Sequence, residues 1–236
     1  MPDPLELNKV PSFSEADQLL IDARKPGVFS PSRLPELYAE DFLNGLNWTV
    51  YSGTAAIQTG VSGHPGVVRL TTGSASGDKA IIGLHDSVST KPLWTPNVVG
   101  NMAVFKFADP TDVRFNIGLY GGSLSTANFG NDSLCFELDT SINQKLGLRA
   151  DTAGTATRLT PGSNVGSALW YKLDWFRIGD ASVYFYINNV LVGSITENIA
   201  TTSCGVGIAL TTLTAAAKTV DVDLYQYEHY VSQRFD

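Results

Sequence analysis

The chain has 236 residues, with 16 Lys and Arg against 23 Asp and Glu, a formal net charge of -7 and only 17% charged residues. There is no basic stripe to neutralise phosphates, which argues against nucleic acid as a partner. No apolar run approaches the roughly 18 residues of a membrane-spanning helix, so membrane insertion is not expected either. "MPDPLELNKV" lacks the basic and apolar parts of a signal peptide, and the expectation is synthesis in a cytoplasm.

Residues 1–40 read as an arm, proline-bearing and denser in charge than the rest of the chain. Ser12 or Ser14 can cap a short helix, with Ser12 and Glu15 at capping-box spacing, and Pro26-Gly27 stops it after Lys25. Leu19, Leu20 and Ile21 then form a small apolar patch. It either packs on its own domain or docks on another protein.

From Asp41 to Asp236 the pattern becomes short β-rich runs broken by Gly, Asn, Ser and Pro, which predicts an all-β sandwich or barrel. "LWYKLDWFRI", "SVYFYI" and "VLVGSI" are joined by Gly179-Asp180 and Asn188-Asn189, dipeptides suited to tight turns with positive φ, and predict a three-strand antiparallel meander. In its middle strand Val183, Phe185 and Ile187 share a core face against Ser182, Tyr184 and Tyr186. The last run, "TVDVDLYQYEHYV", alternates Val220, Val222 and Leu224 against Asp221 and Asp223, as a strand with one wet face does. Cys135 and Cys204 lie in apolar runs and are expected to be buried free thiols.

Over about residues 41 to 233, "NWTVYSGTAA", "GHPGVVRLTTG", "FELDTS", "LWYKLDWFRIGDASVYFYINNVLVGSITENI" and "VDVDLYQYEHYVSQR" together resemble the concanavalin A-like lectin/glucanase jelly roll found in tailed-phage virion proteins. That family usually has Gly where Asn189 stands; Asn tolerates the same left-handed conformation. "LNKVPSFSEADQLLIDARKPGVFSPSRLPEL" resembles the attachment module that opens many phage fibre proteins, which tips Leu19, Leu20 and Ile21 toward virion docking. The resemblance implies two antiparallel sheets in a jelly roll, phage capsid or tail proteins as partners, and a homotrimer.

Glu137 and Asp139, in "CFELDTS", fall on one face of a strand, roughly 6.5 to 7 Å apart. Glucanases of this fold carry Glu-x-Asp-x-Glu or Glu-x-Asp-x-x-Glu, with the first Glu as nucleophile and the last as acid. Here Ser141 and Ile142 stand where that acid would be. Retaining hydrolysis needs a second carboxyl about 5 to 5.5 Å away, so a structural role for the pair is expected, and no enzyme.

His64, His85 and His229 are scattered without metal-ligand spacing. Asn128 to Ser133, "NFGNDS", offers oxygen donors for calcium but lacks the order of a dedicated loop and reads as a turn. There is no Gly-x-Ser-x-Gly elbow. Trp94, between Pro92 and Pro96, and Tyr120, before Gly121-Gly122, are the candidate glycan platforms, while Trp170 and Trp175 are assigned to structure.

These features converge on a cofactor-free structural protein on a virion surface: a head fibre, decoration protein or short tail-fibre subunit with possible weak adhesion to a host glycan. The competing reading is a carbohydrate-binding module or a degraded glycoside hydrolase.

Overall fold

The computed structural model describes residues 35–43, 46–61, 63–84, 93–94, 98–121, 124, 129, 132–160, 164–178, 182–200 and 203–230. Among these, the strands are β1 Pro35–Glu40, β2 Thr49–Ser52, β3 Thr54–Val61, β4 His64–Thr71, β5 Lys79–Gly83, β6 Leu93–Trp94, β7 Val98–Phe107 and β8 Val113–Tyr120. They continue with β9 Ser133–Asp139, β10 Gly147–Thr152, β11 Thr155–Leu159, β12 Trp170–Ile178, β13 Ser182–Ile187, β14 Val190–Ile195, β15 Ser203–Thr212 and β16 Thr219–Tyr230. One sheet runs β14-β13-β12-β7-β16-β4-β3 with β1 added on β16; the other runs β11-β10-β9-β8-β15-β5-β2 with β6 added on β15. Every pairing between these strands is antiparallel.

Two-residue alternation builds the core between the sheets. Val113, Phe115, Ile117 and Leu119 of β8 are buried, as are Leu134, Phe136 and Leu138 of β9, and they share one cluster with Phe105 and Phe107 of β7 and Leu173 and Trp175 of β12. Phe105 meets Phe115 at 4.9 Å between ring centroids, and Phe136 meets Phe185 edge-on at 5.7 Å, joining the sheets at two points. The predicted meander forms as β12-β13-β14, with Asn188 and Asn189 both in the left-handed region. Val183 and Phe185 are buried and Ile187 packs against the core, on the expected face.

Two expectations are corrected. The arm expected to reach residue 40 ends earlier, because Pro35–Glu40 is a strand, in register with β16 from Pro35↔Tyr230 to Glu40↔Tyr225. The cause is the length of β16: β4 pairs only with Thr219 to Val222, and the remaining main-chain groups on that side take β1. The compact unit accordingly spans Pro35–Tyr230. Secondly, the alternation expected through Leu224 stops at Val222. A bulge at Asp223 shifts the register against β7, so Tyr225 rather than Leu224 is buried. Tyr225 then meets Trp48 at 5.3 Å, and Trp48 meets Phe42 at 6.0 Å. Phe42 is fully buried at a φ of 55°, a conformation held for a non-glycine residue by its packing.

Candidate functional site

On β9 the residues between the core positions are Ser133, Cys135, Glu137 and Asp139, so the two carboxylates share the outer face as expected, each 7% exposed. Charges buried that far need partners. Asp139 is opposite Arg114 of β8, whose Nε donates to Oδ2 at 2.7 Å; Oδ1 accepts from the Ser141 hydroxyl at 2.5 Å and the Ser141 N–H at 3.1 Å. Glu137 accepts from Arg158 Nε of β11 at 2.6 Å and is 3.6 Å from Arg149 Nη1 of β10. Arg149 also donates to Asp151 at 2.7 Å, and Asp151 accepts from the Gly154 N–H, fixing the β10–β11 turn. Three arginines and three carboxylates thus form a neutral ladder across four strands.

This electrostatic arrangement runs opposite to that of a general acid. Burial, the largest influence on Asp139, favours its neutral form, but the hydrogen bonds from Ser141 and Arg114 together outweigh it and hold the carboxyl below its ordinary range. A catalytic acid needs the reverse shift. Glu137 in turn raises the Arg158 guanidinium, keeping that cation charged. The strand also ends at Asp139: the N–H groups of Ile142 and Asn143 return to its carbonyl, so positions 141 and 142 lie in a turn beyond the ladder.

Beside the ladder, the outer face of the same sheet is filled. Leu124 and Phe129 pack onto Ile81, Tyr120, Cys135 and Ala209 in a second buried cluster. Gly83 and Gly207 make room for Leu124, since a Cβ at either would collide with it. Tyr120, expected as an exposed glycan platform, is therefore buried, its ring 5.6 Å from that of Phe129. The Gly121-Gly122 context suggests a loop, but β8 runs through Tyr120 and its outer face is covered. Cys135 lies under the same cluster as a free thiol, and burial above all pushes it up to about 12.

Trp94 is placed by its main chain in β6, paired with Ser203 of β15; its side chain lies outside the described residues, as do Leu19, Leu20 and Ile21 and the side chain of Cys204. Within Asn128 to Ser133, Asp132 accepts from the Ala153 N–H at 3.2 Å, and among the described residues no three His, Cys, Asp or Glu side chains gather as metal ligands.

The outer face of the other sheet carries contacts that the sequence pattern does not announce. His64 shares a 2.8 Å hydrogen bond with Asp223 and stacks on Trp170 at 3.8 Å, with Lys106 Nζ 4.7 Å from the Trp170 ring centre. Arg69 grips Asp221 through Nε at 2.6 Å and Nη2 at 2.8 Å. The ladder arginines do have a sequence signal: Arg114 and Arg158 are the only charged residues of their strands, "VRFNIGLY" and "TATRL", and Arg149 in "GLRADT" shares its strand only with Asp151. Which carboxylate each meets depends on register, which the sequence does not show.

No family model matches the chain, and no curated protein does. Solved structures do. A protein of unknown function, SO2946 from Shewanella oneidensis MR-1, aligns over 97% of this chain and 100% of its own at 16% identity and a TM-score of 0.60. Bacillus licheniformis β-glucanase aligns over 81% and 97% at 14% identity and 0.57, and the κ-carrageenase of Pseudoalteromonas carrageenovora over 88% and 100% at 10% identity and 0.54. The fold is a concanavalin A-like jelly roll. At these identities the likeness is one of architecture. In this jelly roll the Glu-x-Asp strand is present, its carboxylates neutralised by arginines from three other strands of the sheet.

Proposed function

We propose that this chain is a non-catalytic jelly-roll protein displayed on the surface of a tailed-phage particle and held there by its N-terminal arm. The observation that carries the non-catalytic half is the ladder: Glu137 and Asp139 each accept charge-assisted hydrogen bonds from arginine, and Ser141 and Ile142 occupy the positions of a general acid. The resemblance of residues 7–37 to fibre attachment modules supports the virion half, with capsid or tail proteins as partners. Any contact with a host glycan is weak, centred on Trp94, and made useful by many copies on one particle.

The test has two arms. Incubation with lichenan, laminarin, κ-carrageenan, agar and alginate releases no reducing ends; release that is lost in Glu137→Gln overturns the non-catalytic reading. Full-length protein co-sediments with purified particles, whereas failure to bind any tailed particle from the same genome overturns the virion reading. Glycan-array binding unchanged by Trp94→Ala removes that residue from the site.

A further inference from the structure

A sheet edge exposes a row of unpaired N–H and C=O groups, and natural edges are normally blunted by charge, proline, bulges or shortness. Most edges of this jelly roll are blunted in that way. β2 has four residues and a register shift, β14 is bulged against β13, β11 carries Arg158, and β1 begins with Pro35 and carries Glu36 and Glu40. β3 is different. Its eight residues, "TAAIQTGV", contain no charge and no proline, and they keep one register with β4 from Thr54↔Thr71 to Val61↔His64. Among the described residues, no strand pairs with its other side.

Ile57 marks the same edge. It is opposite Val68, a fully buried core residue, yet it is 40% exposed because the sandwich is open at that margin. The Gln58 side chain donates to the Ala56 carbonyl at 3.1 Å, which fits main-chain groups of Ala56 and Gln58 that point away from β4. Ile57 then occupies a non-hydrogen-bonded position for any strand added outside.

We propose that two copies of this chain pair antiparallel through β3 about a two-fold axis at Ile57. The hydrogen-bonded pairs are Ala56 with the partner's Gln58 and the reverse, the Gln58 side chain giving up the carbonyl to the partner's N–H. Each Ile57 meets the partner's Ile57, with Cα atoms about 4.5 Å apart as in a non-hydrogen-bonded pair. An identical strand suits this edge because no charge from Thr54 to Val61 opposes itself, and because the exposed apolar side chain is covered by its own copy. Such an interface is isologous and closes at the dimer.

The test uses the full chain. Sedimentation velocity shows a dimer, and Ile57→Cys forms a disulfide-linked dimer under mild oxidation. Thr59→Cys does not, because its two copies would lie four residues apart along the pair, about 13 Å, against the roughly 4.4 to 6.8 Å a disulfide spans. Ile57→Lys and Ile57→Glu each raise the dimer dissociation constant at least about tenfold, and mixing the two variants restores association. Circular dichroism confirms that each variant is folded. A monomeric wild type at high micromolar concentration, equal cross-linking of both cysteine variants, or a dimer or trimer whose mass is unmoved by Ile57→Lys overturns the proposal.

Discussion

Glu137→Gln separates a structural carboxylate from a catalytic one by its effect on stability. The substitution keeps the side-chain shape and removes the charge that Arg158 Nε holds at 2.6 Å and Arg149 Nη1 approaches at 3.6 Å. A hydrogen bond to a charged group contributes about 1.5 to 3 kcal/mol. The Arg158 side chain is 41% exposed, so solvent screening places its share in the lower half of that range. Arg149 and Arg158 are direct partners across β10 and β11, and without Glu137 two like charges face each other, adding about 0.2 to 1 kcal/mol. The expected loss is about 2 to 3 kcal/mol, or roughly 5 to 10 °C in Tm for a domain of this size. Urea unfolding followed by tryptophan fluorescence measures it, and Arg158→Gln added to Glu137→Gln should cost less than the two changes summed. A carboxylate kept for catalysis is typically a site of stored strain, and its removal is neutral or stabilising. A Glu137→Gln variant that melts at or above the wild type would refute the reasoning.

Phe42→Ala should destabilise by about 3 to 5 kcal/mol through the cavity beside Trp48, while Phe42→Gly, relieved of the positive φ, should be the more stable of the two by about 1 kcal/mol; a urea series in which Ala outperforms Gly contradicts that backbone. Asp109 is held at about 2, first by the hydrogen bond from Lys218, against an ordinary 3.8. A depressed carboxyl stabilises above its unfolded value and loses that contribution as pH falls through its folded one, so acid unfolding between about pH 4 and 2 should be shallower in Lys218→Met; parallel curves would count against the pair. Deleting residues 1–34 should leave melting of the jelly roll unchanged and abolish recovery with particles, whereas deleting 1–40 should also lower the melting point by stripping β1 from β16. Equal melting of the two truncations would place β1 outside the fold.

Patterns confined to one strand are legible before its neighbours are known. The meander is one, because Asn188 and Asn189 announce their turn and because Val183, Phe185 and Ile187 alternate over a length no helix would use. The shared face of Glu137 and Asp139 follows from the same two-residue period. Features that depend on register between distant segments stay hidden. Arg114 is 25 residues from Asp139 and Arg158 is 21 from Glu137, and only strand pairing brings them together. β1 escapes notice because "PELYAE" has prolines nearby and little alternation, and its strand state comes from the free side of β16. Tyr120 misleads because a pair of glycines marks the end of a strand without saying what covers its last residue.

The bulge at Asp223 makes β16 a strand of two phases. Its first half presents Val220 and Val222 inward and pairs with β4; its second half presents Tyr225 inward and carries β1. Straightening the bulge with Asp223 retained and paired would act on this strand as a frameshift acts on a message: everything before it would read unchanged, and every side chain after it would turn to the opposite face. Leu224 would enter the core, Tyr225 would leave Trp48, and β1 would inherit an inverted partner. The single inserted residue is therefore the hinge on which the amino-terminal strand and the remainder of the jelly roll are kept in step.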